Sequence, residues 1–257
     1  MSRKPAVAAV AFNTFRETVR DRIFYSILVF AVFVIALTYW LADLSVADFT
    51  RVLVHFGFAA IHVFSVLVSI FLGTSLLAKE VDKRTVYFVL SKPVPRWQFV
   101  VGKGLGLYLT SFLSVLFMTA VLQLLVFVQS GDPRWLLWWV SAGIVLEIGL
   151  LIGFSILFST FTTPTLSALF SCSVFVIGHL TEGLGAFAEK AGGAGRWMAQ
   201  AFFHVLPDLE LFNFRNDAMY ATAAPEGFYS RVLLYWGAYL LLLLAAAVAI
   251  FSRRDLK

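Results

Sequence analysis

Glu147 is the only charged residue in an apolar run over 135–161, and it lies near the middle of that run. If the run crosses a bilayer, an ionised carboxylate at that depth is costly and normally faces other protein. Two readings stay open. Glu147 is a proton site or polar contact along a translocation path, or it is a protonated carboxyl bonded to a neighbouring helix. His55 and His62 are seven residues apart and share one face of the run 54–78. His62 joins Glu147 as a candidate for that path. His179 is expected near the outer end of the run 165–180, and His204 in the loop beyond it. Facing histidines inside a membrane can ligate haem. However, His55 is expected near the outer surface, and no histidine of another run is expected at the depth of His62. Polar interhelix contacts are therefore the expected role, and no metal is assigned. The single cysteine, Cys172, excludes an intramolecular disulfide and a cysteine-based metal site. It is expected to be a small buried apolar side chain.

Other chemistry is missing from the sequence. No Walker A pattern is present, so ATP binding by this chain itself is not expected. Gly102-Lys103-Gly104-Leu105-Gly106 is glycine-rich, but no Ser or Thr follows the lysine, and its expected role is close helix packing. Neither HExxH nor GxSxG occurs. Catalytic residues are therefore not assigned, and the chain is not expected to be an enzyme.

The densest charge lies between two long apolar runs. Lys79-Glu80-Val81-Asp82-Lys83-Arg84-Thr85 reads as helical, and Ser91-Lys92-Pro93-Val94-Pro95-Arg96 brings two prolines that stop a helix. A segment so rich in both signs of charge belongs in water, at a membrane surface, where a soluble partner can grip it.

The elements that must position these residues follow from composition. The 257 residues are 60% hydrophobic and 14% charged, where a globular chain is about 45–50% apolar and about 25% charged. Such a chain cannot hide its apolar surface in one soluble core, whereas a bundle of membrane helices satisfies its own backbone and turns apolar side chains to lipid. A span needs about 20 apolar residues. Six segments are expected to cross, at 23–42, 54–78, 99–128, 135–161, 165–180 and 232–251, the fifth being short and serine-rich. The runs are continuous rather than alternating, which argues against a β-barrel. The fold class is all-α, a polytopic membrane protein with a single domain over 1–257.

Charge sets the expected orientation. With a cytoplasmic N-terminus, fourteen of the 20 Lys and Arg residues fall inside and six outside, although the 160–164 turn carries no charge. Both termini are then cytoplasmic, and the net charge of +5 reports topology rather than nucleic-acid binding. No cleavable signal peptide is expected. Over 1–22, Ala8, Phe12, Phe15 and Val19 recur at helical spacing toward Ile23, while Asn13, Arg16, Glu17 and Arg20 take other faces. That pattern describes a helix lying in the inner headgroup layer. The outer stretch 181–231 carries Gly183, Gly185, Gly192, Gly193 and Gly195, then apolar pieces too short to span. These read as re-entrant or interfacial helices, forming either an exit gate or a packed cap.

Together these residues give the chain a family likeness. It resembles the membrane subunit, or permease, of type-2 ABC exporters over nearly its whole length. The likeness rests on the amphipathic start, the six runs, the outer stretch before the last run, and the tail Phe251-Ser252-Arg253-Arg254-Asp255-Leu256. Its most specific element is Glu80-Val81-Asp82-Lys83-Arg84-Thr85, then Leu90-Ser91-Lys92-Pro93-Val94-Pro95-Arg96, then Gly102-Lys103. This is similar to the family's acidic-x-acidic-x-Gly-Thr, Leu-Ser-x-Pro-x-x-Arg and Gly-Lys pattern, with Arg84 where glycine is usual. The resemblance implies that 79–98 is a coupling loop. Its Glu80, Asp82, Lys83, Arg84, Thr85, Tyr87, Phe88 and Leu90 would dock on a separate ATP-binding subunit. It also implies two copies of that subunit, which bind ATP and Mg, and a second permease subunit, identical or related. The expected location is a bacterial inner membrane, and the expected task is ATP-driven export or extraction of a hydrophobic or amphipathic substrate. An envelope partner outside is a further candidate, and no cofactor is expected in this chain.

Two other functions fit the sequence. The same architecture could act as a non-transport anchor, passing ATPase-driven force to a cell-envelope machine. It could also be a haem- or quinone-linked membrane redox subunit.

Overall fold

The computed structural model describes residues 6–43, 49–82, 95–180, 206–215 and 227–253. Among the described residues seven α-helices run in chain order: α1 Ala6–Val19, α2 Arg22–Asp43, α3 Phe49–Asp82, α4 Arg96–Ser130, α5 Leu136–Ser159, α6 Pro164–Gly178 and α7 Phe228–Arg253. A short 3-10 turn, Glu210–Phe212, precedes α7. The described residues contain no strand, and the protein is all-helical.

Each expected apolar run falls on one helix, α2 to α7. Four of these are long and apolar enough to cross a membrane alone: α3 over Phe49–Thr74, α4, α5 and α7. α1 and α2 meet the requirement only together, as a pair bent by 62°. α6 has 15 residues, about 22 Å of helix against a hydrocarbon core of about 30 Å. The structure therefore supports four spans, or five with the bent pair, and does not confirm six.

α5 is the axis of the bundle. Its sequence is apolar on every face, as a helix surrounded by other helices must be. Of its apolar window 83% is buried, against 11% for α7. α3, α4, α6 and α7 all pack on it. Short polar bridges join these layers. Thr119 and Ser141 hydroxyls meet at 2.7 Å between α4 and α5, and the Trp236 indole N–H of α7 donates to the Leu146 carbonyl at 2.7 Å. Two of the three serines of α6 lie on its contact stripe: Ser167 Oγ donates to the Ser155 carbonyl, and Ser155 Oγ donates to Ser171 Oγ, both at 3.1 Å. Small hydroxyl residues let helix backbones approach where no apolar driving force separates lipid from protein. Because α6 buries only Ser167, Ser171, Val174 and Gly178, Cys172 faces outward and is exposed. The expectation of a buried cysteine is corrected by that rotation.

The glycine-rich start of α4 is the seat of α1. A Cβ on Gly106 would stand 2.5 Å from the Ala11 carbonyl oxygen and 2.7 Å from Thr14 Cβ, and a Cβ on Gly102 would stand 2.8 Å from Val10 Cβ. Close packing, as expected, is what these glycines allow. α1 buries Thr14 and Thr18, while Ala8 and Phe12 stay exposed, Phe12 by 58%. The apolar face read from the sequence is thus exposed at Ala8 and Phe12 and half-buried at Phe15 and Val19. Helix ends follow local rules. Pro95 is extended immediately before α4, and Gly131 takes a left-handed φ of 73° after it, its N–H reaching the Phe127 carbonyl. Pro164 occupies the first position of α6, where its missing N–H costs nothing.

Residues 206–215 close one end of the bundle. Leu209, Phe212 and Phe214 are buried in a core with Leu150, Leu151 and Phe154 of α5 and Val174 of α6. The Leu209 N–H donates to the Gly178 carbonyl at 3.0 Å, satisfying a terminal carbonyl of α6. The Asp208 N–H donates to the Tyr235 hydroxyl of α7 at 2.9 Å. Gly143 of α5 makes room for this cap, since a Cβ there would collide with the Phe212 carbonyl oxygen. This part of the outer stretch is a packed cap. The remainder, including Gly183 to Gly195, lies outside the described residues.

Candidate functional site

α3, α5 and α6 bring three chemically active side chains together. Glu147 of α5 is buried, its side chain 3% exposed. His62 of α3 places Nε2 at 2.9 Å from Glu147 Oε1 and 2.8 Å from Oε2. His179, the residue after α6, places Nε2 at 3.6 Å from Glu147 Oε1. Its Nδ1 lies 3.0 Å from the Phe175 carbonyl oxygen, so Nδ1 carries a hydrogen and Nε2 faces the carboxylate. The two imidazoles lie side by side, with ring centroids 5.4 Å apart, and Phe175 closes against both, at 5.6 Å from His62 and 4.7 Å from His179. One ligand atom from each of His62, Glu147 and His179 lies within 4.8 Å of the others.

The sequence names Glu147 and His62 each as a candidate along a path, with no contact between them and no other histidine at that depth. The structure corrects this. α6 ends at Gly178, the 206–215 cap packs on that end, and His179 stands level with His62. The shortness of the fifth apolar run was the available signal. Among the other histidines, His55 is exposed, two turns away on α3, and His204 lies outside the described residues.

Arg215 completes the electrostatics. Its guanidinium donates to the Phe58 carbonyl of α3 at 3.2 Å, one turn from His62. Burial pushes the guanidinium below its usual range, while the nearby charges of Glu147 and Glu210 hold it up. Arg215 was counted only as an outer basic residue in the sequence. Its position in an apolar stretch beside Leu211-Phe212 and Phe214 was the cue that its charge needs a buried partner.

The residues of the charged island divide. Glu80 and Asp82 continue α3 to its last residue, as the helical reading of the island's first half expected. Lys83, Arg84, Thr85, Tyr87, Phe88 and Leu90 lie outside the described residues. Arg96 opens α4 and donates to the carbonyls of Phe251 at 3.2 Å and Ser252 at 2.9 Å.

An apolar cavity of about 400 Å³ opens beside α5, lined by Phe112, Trp138, Trp139, Phe214, Tyr229 and Leu233 among others. Trp139 stacks on Phe214 at 5.8 Å and meets Tyr229 edge-on at 4.7 Å.

Long apolar helices round a buried polar centre define a multi-pass membrane protein. A family model described as "ABC-2 family transporter protein" matches residues 8–256. The chain belongs to the ABC-2 family of transporter membrane proteins and is the permease, the membrane subunit, of an ABC transporter. A search of curated proteins finds no match.

Proposed function

We propose that this permease couples ATP hydrolysis on a separate ATP-binding subunit to export or extraction of a hydrophobic or amphipathic substrate. One observation carries the reading. α3 is a single helix from Phe49 to Asp82, and it bears both His62 and the start of the charged island. From His62 to Asp82 the rod spans about 30 Å. A displacement applied at the island therefore moves the polar centre, since a packed helix shifts as a unit.

In this reading the island is the coupling helix, gripped at the cytoplasmic face by the ATP-binding subunit. Both termini are cytoplasmic, α1 lies at the inner membrane surface with Phe12 toward lipid, and Glu147 and His62 border the path. A second permease copy covers the exposed apolar faces, and the aromatic-lined cavity suits an acyl or similar apolar group. The packed 206–215 cap also favours the second reading, in which the same motion is passed to an envelope partner. Its ties to α3, α6 and α7 suit a lever better than a hinged gate.

The test is capture of the chain from native membranes, followed by reconstitution in liposomes. Support is co-purification of an ATP-binding subunit and a turnover that rises with the intact pair. Recovery of the chain with no nucleotide-hydrolysing companion refutes the proposal.

A further inference from the structure

We propose that His62, Glu147 and His179 bind a divalent transition-metal ion of the zinc class. The proposal goes beyond the transport reading and stands on side-chain geometry alone.

His179 Nε2 faces the Glu147 carboxylate from beyond hydrogen-bond distance. The His179 Nδ1 hydrogen is committed to the Phe175 carbonyl, so a neutral His179 turns the Nε2 lone pair toward a carboxylate oxygen 3.6 Å away. Two acceptors then face each other at a separation too long for a hydrogen bond. A metal ion between them satisfies both. The Nδ1–H···O=C bond is also the outer contact that metal-bound histidines use to fix tautomer and ring orientation. The third donor is in place, because His62 Nε2 faces both oxygens of Glu147 at 2.8–2.9 Å. On binding, the proton that His62 shares with Glu147 leaves to water, and the hydrogen on the His62 ring resides on Nδ1.

The donor set selects the ion. Two imidazoles and one carboxylate are the protein donor set of an open zinc-type site and of the iron facial triad. Calcium and magnesium prefer oxygen shells. Access exists, since the His62 and His179 side chains are 15% and 22% exposed. Because the ligands come from α3, α5 and at the end of α6, the ion would lock three helices in one register.

The full chain, purified in detergent without a polyhistidine tag and stripped with chelator, is titrated with Zn²⁺ by calorimetry. Co²⁺ serves as a spectroscopic probe through its visible ligand-field bands. One equivalent per chain is expected. His179→Ala and Glu147→Gln should each weaken Zn²⁺ binding at least about tenfold, with His55→Ala unchanged. If a variant aggregates, the wild-type chain decides: Zn²⁺ should shield His62 and His179, and not His55, from imidazole acylation mapped by mass spectrometry. No saturable binding, binding unaltered in the variants, or no selective shielding overturns the proposal. Neither readout uses ATP or a partner, so failure here leaves the transport reading standing.

Discussion

The Arg96 guanidinium caps the far end of α7, donating to the carbonyl oxygens of Phe251 and Ser252 at 3.2 and 2.9 Å. The first turn of α4, directly after the charged island, is thereby tied to the last turn of α7. A cation at a helix C-terminus satisfies orphan carbonyls and opposes the negative end of the helix dipole. Arg96→Ala should lower stability by about 1–2 kcal/mol, and Arg96→Lys should recover part of it, since an ammonium supplies charge without the planar fork. Thermal unfolding in detergent measures both. Equal melting temperatures for the wild type and Arg96→Ala would show that the cap does not stabilise the bundle.

Glu147→Gln keeps an acceptor for His62 and removes the charge. Assembly should survive, at a cost of about 1–2 kcal/mol, while transport-linked ATP turnover in liposomes should fall severalfold. Normal turnover would reduce Glu147 to a contact between α3 and α5.

Gly106→Ala should separate α1 from α4. The new Cβ meets the Ala11 carbonyl oxygen at 2.5 Å, and that neighbour is backbone, which has little freedom to move. Overpacking of this kind costs about 1–3 kcal/mol. Limited proteolysis within 6–19 should accelerate, while cleavage elsewhere stays at the wild-type rate. An unchanged digestion pattern would count against the close α1–α4 contact.

Reversing charge at Asp82 and Arg84, as Asp82→Lys with Arg84→Glu, should reduce recovery of the ATP-binding subunit without unfolding the bundle. Asp82 is the last residue of α3, where a lysine suits the helix dipole better than an aspartate, so a folding defect is not expected from that change. Undiminished co-purification would remove the island's coupling role.

How much was legible beforehand differs from residue to residue. Glu147 was identifiable because a lone carboxylate in an apolar run has few affordable environments. The role of the glycines in 102–106 was equally readable, because glycine at helical spacing invites a close neighbour, though nothing local said that α1 was the neighbour. His179 sits at the end of its helix as expected, but its meeting with His62 was not legible, since that depends on how α3 and α6 pack. Cys172 was misread because composition does not reveal the rotation of a helix about its own axis. Arg215 and Arg96 act on carbonyls of α3 and α7 that lie 157 and 155 residues away in sequence, separations that no local pattern encodes.

Helix positions were settled by the chain itself, since apolar runs in a medium without water satisfy their peptide groups within their own helix. The meeting of His62, Glu147 and His179 was decided only by tertiary structure. It needs α3 and α5 packed at one rotation, bridged over 85 residues, and α6 ending at that same level. Small-residue contacts and the 206–215 cap supply those two conditions, and both arise only once distant segments have packed.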